Sequence, residues 1–193
     1  MKPKFIIAYF LILCSAFASS NIGAGLVFGQ RGTGVHFSND WKVNQKFYLG
    51  LELRFLDIKN ENEQTAVDYF TGYPYTVGNR ALAMFPIYAK FRWLPFEGKI
   101  ENNFSPFFVC RGGGIFTLNG AEEGSFGNRW KNVDTQFNLG GFLGTGVEFN
   151  MYGQTIISPM VGYEFLPLKD KADGYDDYSG MLIHIAFNRK FSF

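Results

Sequence analysis

From Ser19 onward, apolar and polar residues alternate with a period of two, and no long segment carries helical spacing. Eight segments show the alternation, near 22–30, 33–43, 46–57, 81–95, 104–117, 134–149, 153–166 and 180–193, and each predicts a strand. In the third, Phe47, Leu49, Leu51, Leu53 and Phe55 share one parity, against Tyr48, Gly50, Glu52 and Arg54 on the other. The fourth sets Phe85, Ile87, Ala89, Phe91 and Trp93 against Tyr88, Lys90 and Arg92. The sixth and seventh repeat the scheme, with Glu148 and Glu164 on their polar parities. The last sets Met181, Ile183, Ile185, Phe187, Phe191 and Phe193 against His184, Asn188, Lys190 and Ser192.

The connections differ in length. Those at 58–80, 118–133 and 167–179 are long and polar, whereas 44–45, 96–103 and 150–152 are shorter, and the first, around Gln30-Arg31-Gly32, is an exception to the long class. Long loops at one end and tight turns at the other suit a barrel with one rim outside the cell and the other in the periplasm.

Alternation alone leaves open which face is inside, since a lipocalin-like soluble barrel would turn its apolar side inward around a ligand. Strand length favours the inverse arrangement, because a tilted strand needs about 9–11 residues to cross a bilayer. Aromatics gather at the short-turn rim, at Trp41, Phe47, Trp93, Phe96, Phe149, Tyr152, Phe191 and Phe193, as an interfacial girdle would. Glycines sit on the polar parity of several strands, which suits a narrow interior. The fold expected is therefore all-β, an eight-stranded antiparallel up-and-down transmembrane β-barrel, its apolar face toward lipid. Pro86 and Pro159 each remove a ladder donor, and a bulge is expected at each.

Composition agrees with one strand-rich domain: 193 residues, 47% hydrophobic, 19% aromatic, with 23 glycines. At the N-terminus, Lys2 and Lys4 precede an apolar run from Phe5 to Cys14 and the small-x-small site Ala16-Phe17-Ala18, so 1–18 is expected to be a cleaved signal peptide and 19–193 the barrel. Leu13 is bulkier than a lipobox takes before Cys14. Loss of Cys14 leaves Cys110 without an internal disulfide partner. The whole chain carries a net charge of +1, which gives no reason to expect nucleic acid as a partner.

The signal peptide, the eight alternating strands and the terminal Phe191-Ser192-Phe193 together resemble the small outer-membrane barrels of the OmpA/OmpX type. The resemblance implies residence in the outer membrane among lipid and lipopolysaccharide, and a role for Phe191 and Phe193 as the signal read by the barrel-assembly machinery. It implies no enzyme activity, and any external ligand is expected at loops 58–80, 118–133 and 167–179.

The largest constellation is the charge set of the inward parity: Glu52, Arg54, Lys90, Arg92, Arg111, Glu148, Glu164 and Lys190. In so narrow a lumen these should interlock as an ion-pair plug, with a small pore as the alternative. A second candidate is His36-Phe37-Ser38-Asn39, which is similar to the His-x-Ser-Asn motif of outer-membrane lipid A deacylases. That likeness implies His36 as base, Ser38 as nucleophile and Glu52 as the group that orients the imidazole. Parity turns His36 and Ser38 into the lumen, out of reach of an acyl chain. Gly112-Gly113-Gly114 and the 140–146 glycines lack the lysine and helix of a phosphate loop. Two histidines without flanking cysteines make a poor metal site, and neither metal nor cofactor is expected.

Overall fold

The computed structural model describes residues 19–58, 64–67, 69–77, 82–100, 103–120, 131, 133–172 and 174–192. Segment 1–18, read as the signal peptide, and Phe193 lie outside the described residues. Eight strands form the barrel: β1 (Ser19–Gly29), β2 (Gly32–Lys42), β3 (Phe47–Ile58), β6 (Leu82–Trp93), β7 (Phe104–Asn119), β8 (Asp134–Asn150), β9 (Thr155–Phe165) and β12 (Gly180–Ser192). Two hairpins stand apart from the barrel sheet, β4 (Gln64–Val67) with β5 (Pro74–Val77), and β10 (Pro167–Ala172) with β11 (Tyr175–Asp177). Each barrel strand pairs antiparallel with its sequence neighbour, and β1 closes the cylinder on β12 from Ser19↔Ser192 to Gly29↔Leu182.

The prolines do not produce the bulges that their missing N–H groups suggest. Pairing of β3 with β6 lapses between Leu53↔Ile87 and Leu56↔Met84, beside Pro86, then resumes in the same register. Likewise β8 and β9 lose their pairing between Gly146↔Met160 and Phe149↔Ile157, beside Pro159, with no slip. A bulge inserts a residue and displaces every later rung by one; Pro86 and Pro159 each interrupt one ladder without displacing it. The luminal parity therefore stays in phase along both strands.

Side-chain burial follows parity. Ile22, Leu26, Phe37, Leu51, Leu53, Phe91, Val161 and Phe187 are exposed on the outer wall, whereas the charged residues between them are buried. Such a wall cannot face water without a large exposed apolar patch, so it faces hydrocarbon. At the short-turn end Phe47 stacks on Phe91 and Trp93, with centroids 5.6 and 6.4 Å apart, and Trp93 meets Phe108 at 5.8 Å. A second aromatic group lies nearer the opposite end: Phe55–Phe85 at 5.2 Å, Phe116–Phe137 at 5.0 Å and Tyr163–Phe165 at 5.0 Å. Two rings of aromatics around an apolar belt mark the two interfaces of a bilayer.

Segment 167–179, read from sequence as a long polar connection, is largely the β10–β11 hairpin. Leu166, Leu168, Ala172 and Tyr178 are buried in one cluster with Val27, Leu56, Ile58, Leu82, Met84, Ile115 and Leu182 at the outer end of the lumen. Tyr178 donates its hydroxyl to the Ala172 carbonyl at 2.6 Å, and Asn138 and Gln136 of β8 accept the Lys169 and Asp170 N–H groups at 2.9 and 3.3 Å. An apolar lid thus sits over the polar interior. On its solvent side, Asp177 is held below the usual carboxylate range by the Ser179 hydroxyl and N–H that it accepts.

Candidate functional site

Beneath this lid the luminal parity of six strands converges on a charged layer. The buried ionised residues among those described are Asp40, Glu52, Glu148 and Glu164, against Arg54, Lys90, Arg92 and Arg111: four acids and four bases. Burying ions is costly unless each finds an opposite charge, and the strands place each one beside at least one. Arg54 donates Nε to Glu52 Oε1 at 2.6 Å and Nη1 to Glu164 Oε1 at 2.5 Å, so one guanidinium joins its own strand, β3, to the far wall. Tyr88 adds its hydroxyl to the same Glu164 oxygen at 3.2 Å. The other Glu52 oxygen faces Arg111 Nε at 3.3 Å and Lys90 Nζ at 3.8 Å.

A second knot lies toward the periplasmic end. Asp40 takes Lys90 Nζ at 2.9 Å and Arg92 Nη2 at 3.4 Å, while Arg92 Nη1 donates to Glu148. Aromatic rings fill the space between the ions. Arg111 lies 4.6 Å from the Phe142 centroid, Arg92 lies 4.6 Å from Tyr48, and Arg54 sits 5.2 Å from Tyr88. Guanidinium planes stack on such faces while their edges donate to carboxylates, which explains why three of the four cations are arginine.

Lys190, grouped with these residues by parity, is not in the buried array. It is exposed near the periplasmic rim and donates to Asn150 Oδ1 at 3.0 Å. It lies two residues beyond the buried Asn188, toward the periplasmic end of β12, where it is exposed to water.

His36 and Ser38 do face the lumen, and Ser38 stands opposite Glu52 in the β2–β3 ladder. The imidazole, however, makes its contact with His184 and not with the hydroxyl. His184 Nε2 lies 2.5 Å from His36 Nδ1, and Arg111 Nη1 lies 3.1 Å from His184 Nδ1. A guanidinium can only donate, so His184 Nδ1 is the acceptor, its proton is on Nε2, and that proton is given to His36. Ser38 Oγ makes no hydrogen bond through its own proton among the described residues, and Glu52 serves cations and not an imidazole. The base-to-nucleophile contact of a hydrolase triad is not made here.

Gly25 makes the histidine contact possible. It lies on β1 between the two histidine-bearing strands, and a Cβ there would collide with the Ile185 carbonyl and the His36 ring. Gly25→Ala should therefore push His36 off His184 and cost about 1–3 kcal/mol, as overpacking does. Urea titration in lipid vesicles measures this, and an unchanged midpoint would contradict it.

The sequence pattern puts Tyr88 on the luminal parity but does not single out Asp40, Phe142 or Met160, whose Sδ accepts from Arg111 Nη2 at 3.0 Å. Asp40 shares the parity of His36 and Ser38, so that signal was present; no pattern marks Phe142, on the glycine-rich parity of β8, as a platform for arginine. His36 and His184 meet, yet no group of three or more metal-ligating side chains occurs among the described residues.

A closed eight-stranded barrel with an apolar, twice-girdled wall and an ionic interior is a small outer-membrane β-barrel. Solved structures bear this out at the level of the fold. Neisserial surface protein A superposes with a TM-score of 0.56 at 9% identity, covering 91% of this chain and 96% of that one. The N-terminal β-barrel domain of Pseudomonas aeruginosa OprF gives 0.54 at 8% identity, over 90% and 98%. A major outer membrane protein from Thermus thermophilus gives 0.52 at 10%, over 90% and 99%. No family model matches the chain, and no curated protein matches it either.

Proposed function

We propose that this chain is a non-enzymatic integral outer-membrane barrel whose lumen is plugged by its own ion pairs and whose external loops carry surface interactions. The observation that carries the plug is the balanced set of four buried acids and four buried bases, bridged from wall to wall by Arg54 and Arg92. The apolar lid of Leu166, Leu168 and Tyr178 supports the same reading, since water and ions would have to cross a dry layer before meeting the charges. An open pore would instead need charges lining a wetted path. Surface interaction is drawn from the external hairpins, and the targeting role of Phe191 and Phe193 from the family resemblance alone.

Planar-bilayer recording tests the plug. Purified protein should add no stepwise conductance, whereas discrete open-channel steps from the unaltered chain would replace the plug with a pore. The non-enzyme reading is tested by Ser38→Ala, which should leave the acyl pattern of lipid A unchanged in cells. A changed pattern would restore the hydrolase assignment of His36 and Ser38.

A further inference from the structure

The β4–β5 hairpin follows the outer end of β3 and precedes that of β6, and the side chains at its tip are exposed. Pairing from Gln64↔Val77 to Val67↔Pro74 holds it as a two-stranded projection, and Gly72, at φ 69°, turns the chain at its apex. Tyr69 and Phe70 are each 94% exposed, Tyr73 is 75% exposed and Val67 is 64% exposed. Elsewhere, large apolar side chains with such exposure face the lipid belt; these four lie outside it. In 64–77 the only charged residue is Asp68, and there is no Lys or Arg.

We infer that this tip is an insertion device for a lipid bilayer other than the one that holds the barrel. The inference rests on the surface-interaction reading above and names the partner. Three features select it. First, the tip is convex, so its occupant must supply the depression, which a bilayer interface does wherever it is touched. Second, the rings of Tyr69 and Phe70 stand edge to face at 88° with centroids 5.8 Å apart, so they cannot present one flat platform to a sugar. Third, the area is small: three rings bury about 150–250 Å² each at most, which falls short of the roughly 800 Å² per partner of a standard protein interface. Tyrosine and phenylalanine beside a valine are side chains that settle at the headgroup boundary, ring in the acyl region and hydroxyl in the polar layer. With no cation on the tip, the preferred surface is zwitterionic and binding does not depend on anionic lipid.

The test uses the full barrel held in phospholipid nanodiscs, so that its own belt is already covered, mixed with protein-free phosphatidylcholine vesicles and separated by flotation. The unaltered protein should float with the vesicles, equally in low and high salt, while empty nanodiscs do not. Tyr69→Ser with Phe70→Ser, at exposed positions that leave the barrel intact, should lower the floated fraction at least fivefold. Heat-modifiable gel migration identifies a folded variant. Failure of the unaltered protein to float, or equal flotation of the folded variant, overturns the lipid assignment. A further arm uses membranes isolated from animal cells, before and after protease. Binding that appears only on untreated membranes and is lost in the variant would keep loop recognition while sinking the lipid partner. Absence of binding in every arm would sink both.

Discussion

Glu52→Gln is expected to be among the most damaging single substitutions in the lumen, costing about 3–5 kcal/mol. The carboxylate faces three cations, with Arg54 at 2.6 Å, Arg111 at 3.3 Å and Lys90 at 3.8 Å, and its side chain is almost wholly enclosed. Taking away the charge leaves four buried bases against three acids, and the stranded guanidinium of Arg111 has no water to turn to. The substitution is nearly isosteric, so the loss reports electrostatics and not a cavity. Urea unfolding in lipid vesicles, followed by tryptophan fluorescence, gives the free energy. The second arm is a cycle: adding Arg111→Gln restores three against three and should recover part of the loss, because breaking one partner of a buried pair is worse than removing both. A single variant within about 1 kcal/mol of the parent, below that range, would mean that water reaches these charges and that the array is not an enclosed plug.

The second large effect is expected on the opposite side of the same strand. Leu53 lies midway along β3, flanked across the ladder by Phe37 and Ile87, and all three are exposed on the outer wall. Leu53→Arg should cost about 2–4 kcal/mol, the cost of a cation near the bilayer midplane. The next residue, Arg54, is already an arginine and is stable where it is. One step along the strand reverses the face, and with it the solvent: carboxylates on one side, hydrocarbon on the other. In a soluble barrel with an apolar interior, Leu53 would be a core position and Arg54 a surface one, so Arg54→Leu would be harmless. In this barrel it should strand Glu164 and destabilise. Measuring both variants in vesicles distinguishes the two arrangements, and a harmless Arg54→Leu would reverse the assignment of inside and outside.

Parity made most of the wall legible from sequence, because which face a side chain takes in a strand depends only on its own position and the pleat. In β7 the same rule puts Cys110 on the outer face and Arg111 inside. The prolines were harder to read. Pro86 and Pro159 remove donors whatever their surroundings, but whether the chain answers with a bulge depends on how firmly the flanking rungs pin the register, and here they pin it on both sides. The lid was hidden for another reason. Near the outer end the alternation fades, as in Phe55-Leu56-Asp57-Ile58 and Leu82-Ala83-Met84-Phe85, where apolar residues occupy both parities. That fading is the signature of a dry luminal layer, yet nothing in those stretches says that residues 166–178 fold over to complete it.

The chain's linear order alone settled the number of barrel strands, the face each of their residues presents and the solvent that each face requires, since these follow from a local period of two. Tertiary closure decided who meets whom. Arg54 reaches Glu164 110 positions away, and His184 reaches His36 148 positions away across the gap left by Gly25. Long side chains in a narrow cylinder choose partners by the stagger of the closed sheet, and that stagger exists only once β1 has found β12.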